Sequence, residues 1–180
     1  MAAVVACSPA TRDRADTAAA VDSVRDSSTV ADSGARHWIV RADGIGPVQV
    51  GVPLAVASRA LGEQLRVTEA GCDHVDPAMM PDGILLMIID DTVARVEIDS
   101  AGIRTAEGAQ VGDSESRVLA LYGARARIEP HEYTYPDGHY VVVTPPSDTL
   151  HRIIFETFKG LVTTYRAGRM PAVRLVEGCS

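Results

Sequence analysis

Aromatic residues are scarce in this chain: two Phe, one Trp and five Tyr, 4% of 180 residues. Val, Ile, Leu and Ala must therefore fill any core. Long apolar runs are missing as well. None approaches the ~20 residues that cross a bilayer as a helix. Positive charge is in deficit, with Lys+Arg 17 against Asp+Glu 24, a formal net charge of -7 and a pI near 5.1. Such a chain gains nothing from counterion release on nucleic acid, and charge does not draw it to an anionic membrane surface. Only three cysteines occur, without a C-x-x-C pair or a Cys/His zinc spacing. What is present is 46% hydrophobic, which excludes disorder over the whole length. The length suffices for one compact domain with a real core, or for two very small ones.

The chain opens Met1-Ala2-Ala3-Val4-Val5-Ala6-Cys7-Ser8. An aliphatic Val4 and a small Ala6 directly before Cys7 resemble a bacterial lipobox. That resemblance implies lipidation of Cys7, which becomes the mature N-terminus. A basic n-region and an h-region of roughly 7–15 residues do not fit into six residues. The reading therefore places residues 1–7 at the end of a longer leader. Residues 8–36 are Ala, Asp, Ser, Thr and Arg with few large aliphatics. Such a segment cannot bury enough apolar surface to offset its ordering entropy, and it reads as a flexible tether. The folded domain is expected over 37–180.

Cys72 and Cys179 remain. In the oxidising compartment implied by an exported chain, an unmatched pair is expected to be bridged. The loop so closed holds about 108 residues, for which chain entropy gives about 4–5 kcal/mol.

An internal repeat organises the rest. Gln49-Val50-Gly51 and Gly62 recur as Gln110-Val111-Gly112 and Gly123, at a constant offset of 61. Each copy reads as a helix of about ten residues. Pro53 suits a first helical position, and Leu54, Ala57 and Leu61 mark one apolar face. In the second copy Asp113 or Ser114 caps the helix, and Val118, Leu121 and Tyr122 supply the face. Gly62 and Gly123 fall where a helix ends in a left-handed residue. Strands follow. Ile84–Ile89 and Val93–Ile98 flank the turn Asp90-Asp91-Thr92, and Arg152–Thr157 and Leu161–Arg166 flank Phe158-Lys159-Gly160. A further strand precedes each hairpin, near Cys72–Val75 and His139–Thr144, and His37–Arg41 adds one with Trp38 as an anchor. The expected fold is α+β: two repeated units, about 43–101 and 102–168, each one helix plus a three-stranded antiparallel meander, followed by a C-terminal tail.

A helix introduced by Val-Gly and closed by Leu61-Gly62 or Tyr122-Gly123, then a meander, resembles the unit of the BamE/SmpA-like small lipoproteins. Its tandem duplication is similar to the architecture of the β-lactamase inhibitory proteins. The resemblance covers roughly residues 43–168, with Val52-Pro53 departing from the usual small polar cap. It implies a non-catalytic role in protein binding or envelope structure. No residues here match an inhibitor's enzyme-binding surface.

Candidate chemistry is thin. Asp90 and Asp91, near Asp82 and Glu97, are carboxylates of a type used in metal or acid/base sites, but they sit where a hairpin turn favours Asp. His131, Glu132, Asp137 and His139 match no metal-ligand spacing. Ser114 lacks a Gly-x-Ser-x-Gly setting, and Gly44-x-Gly46 lacks the third glycine of a dinucleotide fingerprint. Arg125 and Arg127 read as solvated residues at the start of a strand. His131, Tyr133, Tyr135 and His139 are contact material for a partner, whereas Tyr140 can pack in the core. The expected function is therefore a lipid-anchored, extracytoplasmic binding module for another envelope or secreted protein, without catalytic residues, metal or cofactor. The alternatives are a small periplasmic hydrolase or metal-binding protein using residues 129–140, and a purely structural envelope protein.

Overall fold

The computed structural model describes residues 38–179. The lipobox expected at Cys7, the tether expected over 8–36 and His37 lie outside the described residues. The described chain is dominated by β-structure: eleven strands in two sheets, with two helices of eight residues each.

Two hairpins build the large sheet. β5 (Ile84–Ile89) and β6 (Thr92–Ile98) meet at Asp90-Asp91, both with positive φ (47° and 59°). β10 (His151–Phe158) and β11 (Leu161–Arg169) meet at Lys159-Gly160, at φ 50° and 78°. Positive φ at both central residues gives the turn whose twist matches paired strands. β4 (Cys72–Val75) joins the outside of β5. β9 (Gly138–Val143) and β8 (Ala126–Pro130) extend the sheet beyond β10. The order is β4-β5-β6-β11-β10-β9-β8, antiparallel throughout.

The seam between the hairpins pairs Arg95–Ile98 with Tyr165–Gly168. Gly168 lies opposite Arg95, and a Cβ there would meet Arg95 Cβ at 2.4 Å and the Ala94 carbonyl oxygen at 2.7 Å. Only a residue without a side chain lets the strands close at this point.

The second sheet is small. β1 (Ile39–Arg41), β2 (Gly44–Ile45), β3 (Val48–Gln49) and β7 (Arg104–Thr105) lie in the order β3-β2-β1-β7, with β1 and β7 parallel. Val40, Ile45 and Val48 are fully buried. α1 (Leu54–Leu61) buries Leu54, Ala57 and Leu61, and Gly62 ends it in the left-handed conformation. α2 (Glu115–Tyr122) starts on Ser114, whose side chain accepts from the Arg117 N–H, and buries Val118 and Tyr122. Both helices and the small sheet pack on one face of the large sheet, in a core with Leu86, Ile88, Val96, Val141, Phe155 and Tyr165.

These findings overturn the expectation of an α+β fold made from two units of one helix and a three-stranded meander. Four strands follow α2, not three, because β8 precedes the others. A separate four-stranded sheet is present that no repeat unit contains. Its strands are two or three residues long, too short for an alternating pattern to register. β8 lies on the edge of the sheet with Arg127 exposed and Glu129 partly exposed, so the strand start read at Arg125 and Arg127 carries no apolar alternation that would count it as a fourth strand of the unit. Gly123 also departs from expectation: its backbone is not left-handed helical, and it opens a short 3-10 turn, Gly123–Arg125, into β8.

Candidate functional site

One end of the large sheet gathers exposed rings. The loop 131–137 joins β8 to β9. It is closed by backbone bonds from His131 N–H to the Gly138 carbonyl (3.2 Å), Tyr135 N–H to the His131 carbonyl (3.3 Å) and Gly138 N–H to the Thr134 carbonyl (2.9 Å). The tip of the β10–β11 hairpin lies beside it: Phe158 pairs with Gly138 and Leu161, and Lys159 N–H donates to the Asp137 carbonyl at 2.8 Å. Tyr133 is 60% exposed, Tyr135 63%, Phe158 40% and Leu161 52%. Exposed Glu132 and Asp137 stand around them. Lys159 Nζ lies 5.3 Å from the centre of the Phe158 ring.

The four sequence-predicted contact residues divide. Tyr133 and Tyr135 are displayed, while His131 and His139 are anchors on opposite faces of the sheet. His131 stacks on Tyr140 (centroids 4.4 Å apart), with Nε2 3.5 Å from Glu156 Oε2. His139, one residue before Tyr140, points the other way, as strand alternation requires. Its Nδ1 lies 3.0 Å from Glu115 Oε2 at the start of α2, and the same oxygen accepts from Thr157 Oγ1 at 2.7 Å. The Tyr135 ring stands edge-on to His139 at 6.3 Å. The two histidines therefore do not share a site. Among the described residues no three His, Cys, Asp or Glu side chains converge on a metal position. Asp90 and Asp91 form the β5–β6 turn. Glu97 belongs elsewhere, accepting from Arg95 Nε (2.8 Å) and lying 2.8 Å from His74 Nε2.

The opposite face of the sheet from the main core is crossed by the C-terminal segment 170–179. Two nearly buried guanidinium groups grip its backbone. Arg95, 2% exposed, donates from Nη1 to the carbonyls of Ala172 (2.9 Å) and Leu175 (2.5 Å). Arg166, 6% exposed, donates from Nε to the Val173 carbonyl at 2.7 Å and pairs with Glu156. Val173 packs into a second small core with Tyr140, Val142 and Ile154. Arg174 makes a two-pronged contact with Glu129 (2.7 and 3.0 Å). The segment ends at the Cys72–Cys179 disulfide, whose Cα atoms are 5.4 Å apart, so the pairing expected from sequence is present. Clefts of about 200 and 210 Å³ flank Val176.

The segment also reaches the ring cluster, because the Tyr133 phenol donates to the Glu177 carboxylate. That carboxylate pushes the Tyr133 phenol up to about 12. Ionisation would set a phenolate against a carboxylate. The bond should therefore persist through neutral pH and be lost as pH rises through about 12. In an alkaline titration followed by tyrosine-ring NMR, Tyr133, assigned by its absence in Tyr133→Phe, is expected to ionise there. A midpoint near the ordinary ~10 of a free phenol would show that the contact does not form.

Phe158, Leu161 and Glu177 are not evident as site residues from sequence, where Phe158 reads as part of a hairpin turn and Leu161 as the start of the strand after it. The available signal is the pair of bulky apolar residues on either side of a two-residue turn, where polar ones suffice. Among the described residues no helix is long and apolar enough to cross a membrane. Comparison of the chain with protein-family models, with curated proteins and with solved structures finds no match.

Proposed function

We propose that this chain is a non-catalytic, extracytoplasmic binding module, tethered through lipidated Cys7, which contacts another envelope or secreted protein with the ring-bearing end of its large sheet. The carrying observation is the exposed set Tyr133, Tyr135, Phe158 and Leu161 on two mutually hydrogen-bonded turns. In a chain with only eight aromatic residues, three exposed at one end form a concentrated contact surface. Tyr and Phe are enriched at interface centres because they bury large area at small entropic cost. Glu132 and Asp137 at the rim favour a partner with an apolar centre and a basic border. The Cys72–Cys179 bridge supports an oxidising compartment.

The test is site-directed photo-crosslinking in cells, with a photoreactive phenylalanine at Tyr135 or Phe158 and, as control, at the exposed Met79 on another loop. One protein band is expected from the first two positions and none from the control. Tyr135→Ala with Phe158→Ala should then weaken binding to that protein at least tenfold, about 1.4 kcal/mol or more, with an unchanged melting temperature. Equal crosslinking from all three positions, or full affinity in the double variant, would refute the assignment.

A further inference from the structure

We infer that Lys159, at the tip of the β10–β11 hairpin, takes a carboxylate that stands within the apolar area of a partner protein's surface. This rests on reading Tyr133, Tyr135, Phe158 and Leu161 as the contact surface, and it names the charge opposite them.

Of the 17 Lys and Arg residues in the chain, only Lys159 is lysine. The turn does not select it. A two-residue turn with positive φ at both positions favours Asn, Asp or Gly, and the β5–β6 hairpin follows that preference with Asp90-Asp91. Lys159 instead holds φ 50° on a long side chain, a backbone conformation that is uncommon outside Gly, Asn and Asp. Core packing does not select it either, because residues 158–161 are all exposed.

The tip is fastened from both sides. The Lys159 N–H donates to the Asp137 carbonyl at 2.8 Å, and the Glu115 N–H at the start of α2 donates to the Gly160 carbonyl at 2.9 Å. Nζ lies 5.3 Å from the centre of the Phe158 ring, a cation–π contact that restrains the ammonium without neutralising it. The ion pairs among the described residues use Arg and His, and none uses Lys159. Water satisfies such a cation while the surface is free. A partner seated across Phe158 and Leu161 removes that water, and a buried charge then needs a counter-charge. The partner therefore presents a carboxylate there, inside a basic border opposite Glu132 and Asp137. Opposite signs at centre and border fix the register of docking, which a purely apolar contact leaves open.

Acetylation tests this, because one lysine gives one readable site. The full-length chain is treated with sulfo-N-hydroxysuccinimidyl acetate, once purified and once in the intact envelope, and the peptide carrying Lys159 is followed by mass spectrometry. Lys159 should react about tenfold more slowly in the envelope, where the partner excludes water and reagent. The purified chain mixed with vesicles of phosphatidylethanolamine and phosphatidylglycerol should react at the free rate. In crosslinking from Tyr135, Lys159→Met should cut the band about tenfold, whereas Lys159→Arg keeps most of it. Both variants should melt at the parent temperature. Equal acetylation in purified and envelope samples overturns the inference, as does an undiminished band in Lys159→Met. Protection by vesicles alone also overturns it, since a lipid phosphate then takes the place of the protein carboxylate. A Tyr135 band with unprotected Lys159 leaves the contact surface standing and removes only this cation from it. Absence of the band removes the surface and the inference together.

Discussion

Phe155→Ala is expected to destabilise the domain by about 3–5 kcal/mol, the cost of removing a fully buried ring from a core that cannot collapse around the gap. Phe155 sits on β10 with no exposed surface, between Tyr122 (centroids 5.7 Å) and Tyr165 (5.1 Å). Those tyrosines tie three parts of the molecule together. Tyr122, on α2, donates to Thr105 Oγ1 of the small sheet at 2.7 Å, and Tyr165, on β11, donates to the Ile103 carbonyl at 3.0 Å. Burial drives both phenols well above the usual range, so they act as neutral donors and not as acids. Removing the ring between them loosens helix, large sheet and small sheet at once. Thermal melting by circular dichroism should show a fall of about 10 °C or more for a domain of this size. A fall of only one or two degrees would mean that the three aromatic rings do not form the centre of the core.

Arg95→Ala should cost about 3 kcal/mol or more, for a different reason. The guanidinium is nearly buried and satisfies Glu97, the Ala172 carbonyl and the Leu175 carbonyl together. Truncation leaves the Leu175 carbonyl without its donor, the Ala172 carbonyl with only the Leu175 N–H, and the partly buried Glu97 carboxylate with only His74 beside it, and bonds left unmade in a buried place cost more than each contributes when made. The double variant Arg95→Met/Glu97→Gln restores apolar volume and removes the orphaned charge, so it should recover at least half of the loss. Urea denaturation of the three proteins checks this. Equal losses in the single and double variants would assign the effect to packing and not to charge. In Arg95→Ala the amides of residues 172–175 should also lose protection against hydrogen exchange.

Legibility from sequence follows from how local the determinants are. The turns Asp90-Asp91 and Lys159-Gly160 sit between short runs rich in apolar and β-branched residues, and that punctuation survives any packing arrangement. The helices over 54–61 and 115–122 carry their stop or cap signals within four residues. Cys72 and Cys179 were paired by elimination once the compartment was assumed. The exposed loop is legible in part: Tyr133 and Tyr135 stand out in a chain so poor in rings. His131 and His139 group with them by closeness in sequence, and they separate because His131 stacks on Tyr140, whose strand neighbour His139 faces the other way.

What this sequence determined by itself is the set of local elements around Pro53–Gly62, Ile84–Ile98, Ser114–Tyr122 and His151–Arg169, because caps, turns and periodicity act within a few residues. Only the tertiary structure decided how they combine. The seam of β6 with β11 depends on Gly168 admitting Arg95, residues 73 positions apart. The small sheet joins segments as distant as β1 and β7, each too short to signal itself. Arg95 and Arg166 look like ordinary surface charges in the sequence. They become buried anchors because the C-terminal segment folds back over them, and its carbonyls replace the water that charged groups would otherwise require.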